Sequence, residues 1–302
     1  MAISNERSSG AETGDPAPVA PSFPRFAPLA SAYDVALCDV WGVLHDGLRA
    51  HEAASDALTR FRAGGGAVVL VSNAPRASDW VVQSLDEKGV PRSAWDAIVT
   101  SGDVSRRMLA ERGVWSVHHI GPERDLPLLG DDRLSRVGPE EASVAVVTGL
   151  VDEDSEVPED YRDRLLALKA RGLPLICANP DLVVGVGDRQ LWCAGAIADL
   201  YQTLGGEVLF AGKPYPAIYD AALRLAEDVL GRTMERSRVI AIGDAVRTDL
   251  AGATAAGLDC VFVADGIHAE ELGRGAPDPE KLSALFAEHG YSPVAVMPQL
   301  VW

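Results

Sequence analysis

Three short apolar runs, Val35 to Cys38, Ala67 to Val71 and Val239 to Ile242, each stop at polar residues: Asp39, Ser72-Asn73 and Gly243-Asp244. A run of four or five apolar residues without alternation fits a strand covered on both faces. Between such runs lie amphipathic stretches. Ala54, Leu58 and Phe61 fall at helical spacing before the Gly64-Gly65-Gly66 stop, a pattern that alternates strand and helix and predicts an α/β fold with a parallel sheet. Open parallel sheets bind ligands beyond the carboxyl ends of their strands. If these strands are neighbours, their terminal polar residues converge on one crevice.

The middle of the chain repeats the alternation. Val117 to Ile120, Val144 to Val147 and Leu173 to Ala178 read as strands, and Tyr161 to Arg171 and Trp192 to Leu204 as helices. The expected architecture is therefore a doubly wound, Rossmann-like α/β core over 31–113 and 209–302, interrupted by a smaller α/β domain over 114–208. Five of the 19 prolines lie within the first 28 residues, so residues 1–30 are expected to form a flexible or loosely docked N-terminal arm. The C-terminal Val294 to Trp302 is apolar enough to dock on the core or at a subunit contact.

Composition narrows the function class. The 302 residues carry 27 basic and 44 acidic side chains, a formal charge of −17, which argues against a nucleic acid or an anionic membrane surface as partner. No apolar run approaches the length of a membrane-spanning helix, and the N-terminal segment lacks the apolar stretch of a signal peptide. The expected location is cytoplasmic. Cys38, Cys177, Cys193 and Cys260 are far apart and read as reduced core thiols.

Four motifs follow one another in order: Asp39-Val40-Trp41-Gly42-Val43, Ser72-Asn73, Gly212-Lys213-Pro214 and Gly243-Asp244-x-x-x-Thr248-Asp249. Singly each is a common turn sequence. Together they resemble the haloacid dehalogenase superfamily of phosphohydrolases. The insertion between the second and third motifs is similar to the type-2 cap of subfamily IIA, and Asn179-Pro180-Asp181 within it to the cap signature of the NagD-like and nitrophenylphosphatase branch.

The resemblance implies a Mg²⁺-dependent phosphatase of a small phosphorylated metabolite. It implies Asp39 as a nucleophile that forms an aspartyl-phosphate, and Mg²⁺ held by Asp39, Asp244 and the main-chain carbonyl of Trp41. Ser72 and Lys213 would act on the phosphoryl group, Ser72 through its hydroxyl and Lys213 as a point charge that also holds Asp39. The backbone amide of Asn73 would bind beside Ser72, and Asp249 would orient metal-bound water from outside the ligand sphere. Asn179 and Asp181 would contact substrate from the cap. A homodimer through the cap is compatible with the resemblance.

Position 41 departs from the pattern. The family's phosphatases carry a second Asp there, which protonates the leaving oxygen and later activates water; an indole nitrogen can only donate a hydrogen bond. Losing a positioned acid–base group slows a reaction by about 10² to 10⁴, or roughly 3 to 5 kcal/mol of barrier. Good leaving groups suffer least. The same DVWGVLHDG stretch resembles a branch of subfamily IIA that carries Trp at this position. His45 and Asp46 follow closely enough to substitute, or simply to form a turn. Two other readings come with Trp41: a catalytically silent phosphate-ligand binder, and carbon–halogen cleavage, which the retained Asp244 and the cap position disfavour. His118 and His119 point to opposite faces of a predicted strand and cannot chelate one metal.

Overall fold

A computed structural model describes residues 21–186 and 189–302. In chain order its strands are β1 (Val35–Asp39), β2 (Ala67–Ser72), β3 (Ala97–Thr100), β4 (Ser116–Ile120), β5 (Ser135–Arg136), β6 (Val144–Val147), β7 (Leu175–Cys177), β8 (Val183–Val186), β9 (Arg189–Trp192), β10 (Val208–Phe210), β11 (Val239–Gly243), β12 (Asp259–Val263) and β13 (Ala295–Met297).

Six of these form the main sheet, in the order β13-β12-β11-β1-β2-β3, and every pairing is parallel. All residues of β1, β2 and β11 are buried, because helices cover both faces. Val35, Leu37, Val69 and Ala241 enter one core, while Ala36, Cys38, Leu70 and Ile242 enter the other, as the two-residue period of a strand requires. The chain winds outward from β1 through β2 to β3, then returns to the other side of β1 as β11. The winding reverses between β1 and β11, so the crevice beyond their carboxyl ends is the switch point.

A second sheet, in the order β10-β7-β6-β4-β5, is also wholly parallel. It contains the strands expected at Val117, Val144 and Leu173. Its last strand runs to Phe210, so the return to the main sheet falls two residues beyond the expected boundary at 208. Helices Arg162–Ala170 and Ala194–Thr203 pack on it through Leu165, Leu168, Ile197 and Tyr201. Trp192 does not open the second of these helices, as its sequence context predicts. It closes the hairpin of β8 and β9, paired with Val183, and the helix begins at Ala194. The local sequence could not distinguish these cases, because the pairing partner lies on the other arm of the hairpin.

Of the two forms expected for the N-terminal arm, its second part takes the docked one. Residues 1–20 lie outside the described residues, but from Pro21 the chain is docked. Ser22 bridges to Val296, Phe26 N–H donates to the Val301 carbonyl at 2.6 Å, and Phe26 is fully buried between Phe61 and Trp302. The proline content masked an aromatic anchor whose partners are remote in sequence. The C-terminal segment docks as expected, with β13 against β12. All four cysteines are buried and unpaired. Among the described residues, no helix is long and apolar enough to cross a membrane.

Candidate active site

Register brings the motif residues together. Asp39 pairs with Val71, so Ser72 lies one step beyond it; Cys38 pairs with Ile242, so Asp244 follows two positions after that pair. Past β11, residues Val246–Leu250 form a single widened helical turn, in which the amides of Asp249 and Leu250 both donate to the Ala245 carbonyl. Such turns recur at functional sites. Here it folds Asp249 back toward the end of β11, and its Oδ2 accepts from the Ala245 amide at 3.2 Å.

Four charged side chains, Asp39, Asp244, Asp249 and Lys213, are each less than 10 % exposed. Buried charge demands a partner. Lys213 Nζ donates to Asp39 Oδ1 at 2.5 Å and to Asp249 Oδ1 at 2.7 Å. Burial alone would push this ammonium down, but the Asp249 and Asp39 carboxylates reverse the effect and hold it well above lysine's ordinary value. Asp244 Oδ2 accepts from the Ile267 amide at 2.7 Å, and a carboxylate oxygen of Asp244 lies within 4.8 Å of one on Asp39. Burial, followed by repulsion from Asp249, pushes Asp39 well above the carboxylate range and Asp244 up to about 7.

Three carboxylates therefore face one ammonium. Oxygen atoms of Asp39, Asp244 and Asp249 lie within 4.8 Å of one another, a hard-oxygen set suited to a small divalent cation. The raised affinity for protons at Asp39 and Asp244 is the signature of a site short of positive charge. Backbone approaches closely around it: Gly42 has φ +85°, and a Cβ there or on Gly266 would lie 2.0 Å from Asp244 Oδ2.

The remaining expected residues form the wall of the crevice. Ser72 is buried, and its Oγ accepts from the Ala74 amide at 3.2 Å, leaving its own proton to donate. The Asn73 side chain accepts from the Lys213 amide at 2.7 Å and donates to the Lys213 carbonyl at 3.2 Å and to Asp181 Oδ1 at 2.8 Å. Asn179 Oδ1 caps the turn by accepting from the Asp181 amide at 3.1 Å. Burial raises the Asp181 carboxyl.

Trp41 packs against His45 with ring centroids 5.6 Å apart and the planes tilted by 34°, and Gly47 lies beside the indole. His45 Nδ1 accepts from the Gly47 amide, and burial lowers its pKa to about 4. The imidazole is neutral at pH 7. Asp46 accepts from the Leu48 and Arg49 amides at 2.9 and 2.8 Å, which is the turn reading of this loop. His118 and His119 bond separately to Arg164 and Thr148, in structural roles.

Two ion pairs between the sheets had no sequence signal. Arg76, just past Asn73, donates to the buried Asp125 at 3.1 Å and lies 3.8 Å over the Trp80 ring. Arg247 faces Asp199 at 3.8 Å. Partners 49 and 48 residues apart are invisible to local pattern.

Comparison with known proteins finds similar hydrolases. Residues 36–131 match the family model for haloacid dehalogenase-like hydrolases, and 210–288 a model for HAD-hydrolase-like proteins. A haloacid dehalogenase-like hydrolase from Brucella suis 1330 is 43% identical, with 92% of this chain and 99% of that one covered at a TM-score of 0.82. The D-glycerol 3-phosphate phosphatase of Mycobacterium tuberculosis is 27% identical over 80% of this chain; the match spans 65% of that protein's length. A Mycobacterium tuberculosis glycerol phosphate phosphatase solved with calcium is 25% identical, covering 85% and 77% of the two chains at a TM-score of 0.61.

Proposed function

The chain belongs to the haloacid dehalogenase-like hydrolases, and from that premise we propose that it is a Mg²⁺-dependent phosphatase of a small phosphorylated metabolite. The observation that carries this reading is the bridge of Lys213 between Asp39 and Asp249, with an Asp244 oxygen within 4.8 Å of theirs, at the switch point of the main sheet.

Asp39, Asp244 and the Trp41 carbonyl would hold Mg²⁺, with Asp249 outside the ligand sphere. Bound there, the cation supplies charge neutralisation for an incoming phosphoryl group. Asp39 attacks phosphorus, the bond to the leaving oxygen breaks, and the phosphoryl group is carried as an aspartyl-phosphate until water releases it. Lys213 keeps Asp39 oriented and offsets charge on the phosphoryl oxygens. Ser72 donates its hydroxyl and Asn73 its amide to those oxygens. Asn179 stands on the cap side of the leaving group, while the Asp181 carboxylate is taken up by the Asn73 side chain.

Trp41 sets the limit on this chemistry. Neutral His45 and turn-bound Asp46 provide no replacement acid, so leaving groups that depart unprotonated, such as acyl or aryl phosphates, are favoured. The rival reading, a phosphate-ligand binder without turnover, rests on the same Trp41. A panel of phosphorylated metabolites with Mg²⁺, run on wild type, Asp39→Asn and Trp41→Asp, separates the two. Phosphate release by wild type that Asp39→Asn abolishes supports the phosphatase; release by Trp41→Asp alone supports the binder.

A further inference from the structure

We infer that Asp181 is a positioning residue: from the cap, through the Asn73 carboxamide, it sets the placement of Lys213. For its catalytic consequence the inference relies on the phosphatase reading above.

Asn73 uses its whole amide in this arrangement. Its oxygen accepts from Lys213 N–H at 2.7 Å, and its nitrogen donates to the Lys213 carbonyl at 3.2 Å and to Asp181 at 2.8 Å. The Asp181 carboxylate can only accept from Nδ2, so it fixes which end of the amide faces the Lys213 N–H. The Lys213 side chain then reaches Asp39 and Asp249. Asp181 thus stands two hydrogen bonds from the Lys213 backbone.

Its own placement is equally determined. The Asp181 amide donates to Asn179 Oδ1 and its carbonyl accepts from the Gly195 amide at 3.1 Å, the first turn of helix Ala194–Thr203. A Cβ on Gly195 would lie 2.3 Å from the Pro180 carbonyl oxygen and 2.5 Å from that of Asp181. Helix and loop are therefore in direct contact, and movement of one carries the other. Arg76–Asp125 and Arg247–Asp199 also join core to cap, in each case with the acid on the cap. Of these three polar links, the one through Asn73 reaches Lys213. Placement of the cap and placement of the phosphoryl-binding lysine are coupled by this bond.

The decisive measurement is amide hydrogen exchange at Lys213 in wild type, Asp181→Ala, Asp181→Asn, Asn73→Ala and the Asn73→Ala/Asp181→Ala double variant. Asp181→Ala should speed exchange about tenfold, the consequence of losing one charge-assisted bond. Asp181→Asn keeps an acceptor oxygen and should stay near wild type. The double variant should exchange no faster than Asn73→Ala alone. Wild-type protection in Asp181→Ala, or additive effects in the double variant, overturns the inference.

The kinetic arm uses p-nitrophenyl phosphate with Mg²⁺. Asp181→Ala should lower kcat about tenfold with little change in KM, and Asp181→Asn should restore it. A KM increase shared by both variants would make Asp181 a substrate contact, and loss of kcat in both would make it a proton carrier. Either result refutes the positioning role. Failure of wild type to release phosphate refutes the phosphatase reading, while the exchange experiment judges the coupling by itself.

Discussion

Removing metal from this protein should make its stability fall as pH rises, opposite to the behaviour of a protein whose carboxylates are well paired. The perturbation is chelation with EDTA followed by urea unfolding between pH 5 and pH 8. Burial and the Asp249 charge move Asp244 from 3.8 to about 7. A carboxyl raised in the folded state favours folding fully below its unfolded value, and that contribution is lost as pH climbs to the folded value, at about 1.4 kcal/mol per pH unit. From pH 5 to 7 the loss at this one group is roughly 3 kcal/mol, after which its contribution levels off. Asp39, raised by the same causes, adds in the same direction. A divalent cation displaces these protons, so Mg²⁺ at a hundred times its dissociation constant should return about 2.7 kcal/mol at pH 8. Asp244→Asn can still accept from the Ile267 amide but no longer titrates, and should flatten the slope by its share. Equal stability of the chelated wild type at pH 5 and pH 8, or the full slope in Asp244→Asn, would refute the charge-deficit account of the site.

Other perturbations test individual links. Gly42→Ala puts a Cβ 2.0 Å from Asp244 Oδ2 at a backbone φ of +85°; calorimetric titration should find Mg²⁺ binding abolished, with about 1 to 2 kcal/mol lost to the left-handed conformation alone. Asp46→Ala removes acceptors for two turn amides and should cost about 1 kcal/mol in urea unfolding while turnover of any substrate stays unchanged; a sharp fall in turnover would make Asp46 the missing acid. Phe26→Ala should destabilise the core by about 3 to 5 kcal/mol, because the ring is fully buried beside Phe61 and Trp302; a flexible N-terminal segment would show no such change.

The parts of this protein that were legible in sequence are those with short-range causes. Buried parallel strands must be apolar along their whole length, so β1, β2 and β11 show as runs, and the polar residue closing each run is where the backbone leaves the sheet. Asp39, Ser72 and Asp244 were identifiable for this reason, and Lys213 by the place of its Gly-Lys-Pro motif in the order of the four. Arg76–Asp125 and the Asn73–Asp181 bond were not, since each joins segments from different sheets and neither partner carries a local mark. Trp192 was misread because an aromatic residue suits a helix start or a strand end equally well until its partner is known.

The amino-acid order alone specified an α/β chain with an inserted unit and polar residues closing its strands, because hydrophobic periodicity and strand termination act over a few residues; the phosphoryl-transfer reading of those residues came from the resemblance. The charge state of the site was decided by tertiary structure. Only folding brings three carboxylates and one ammonium out of water into one crevice, where burial raises Asp39 and Asp244 and leaves the cluster short of positive charge. The path from cap to lysine was likewise decided there, because Asn73 and Asp181 are 108 residues apart and meet only when the two sheets dock.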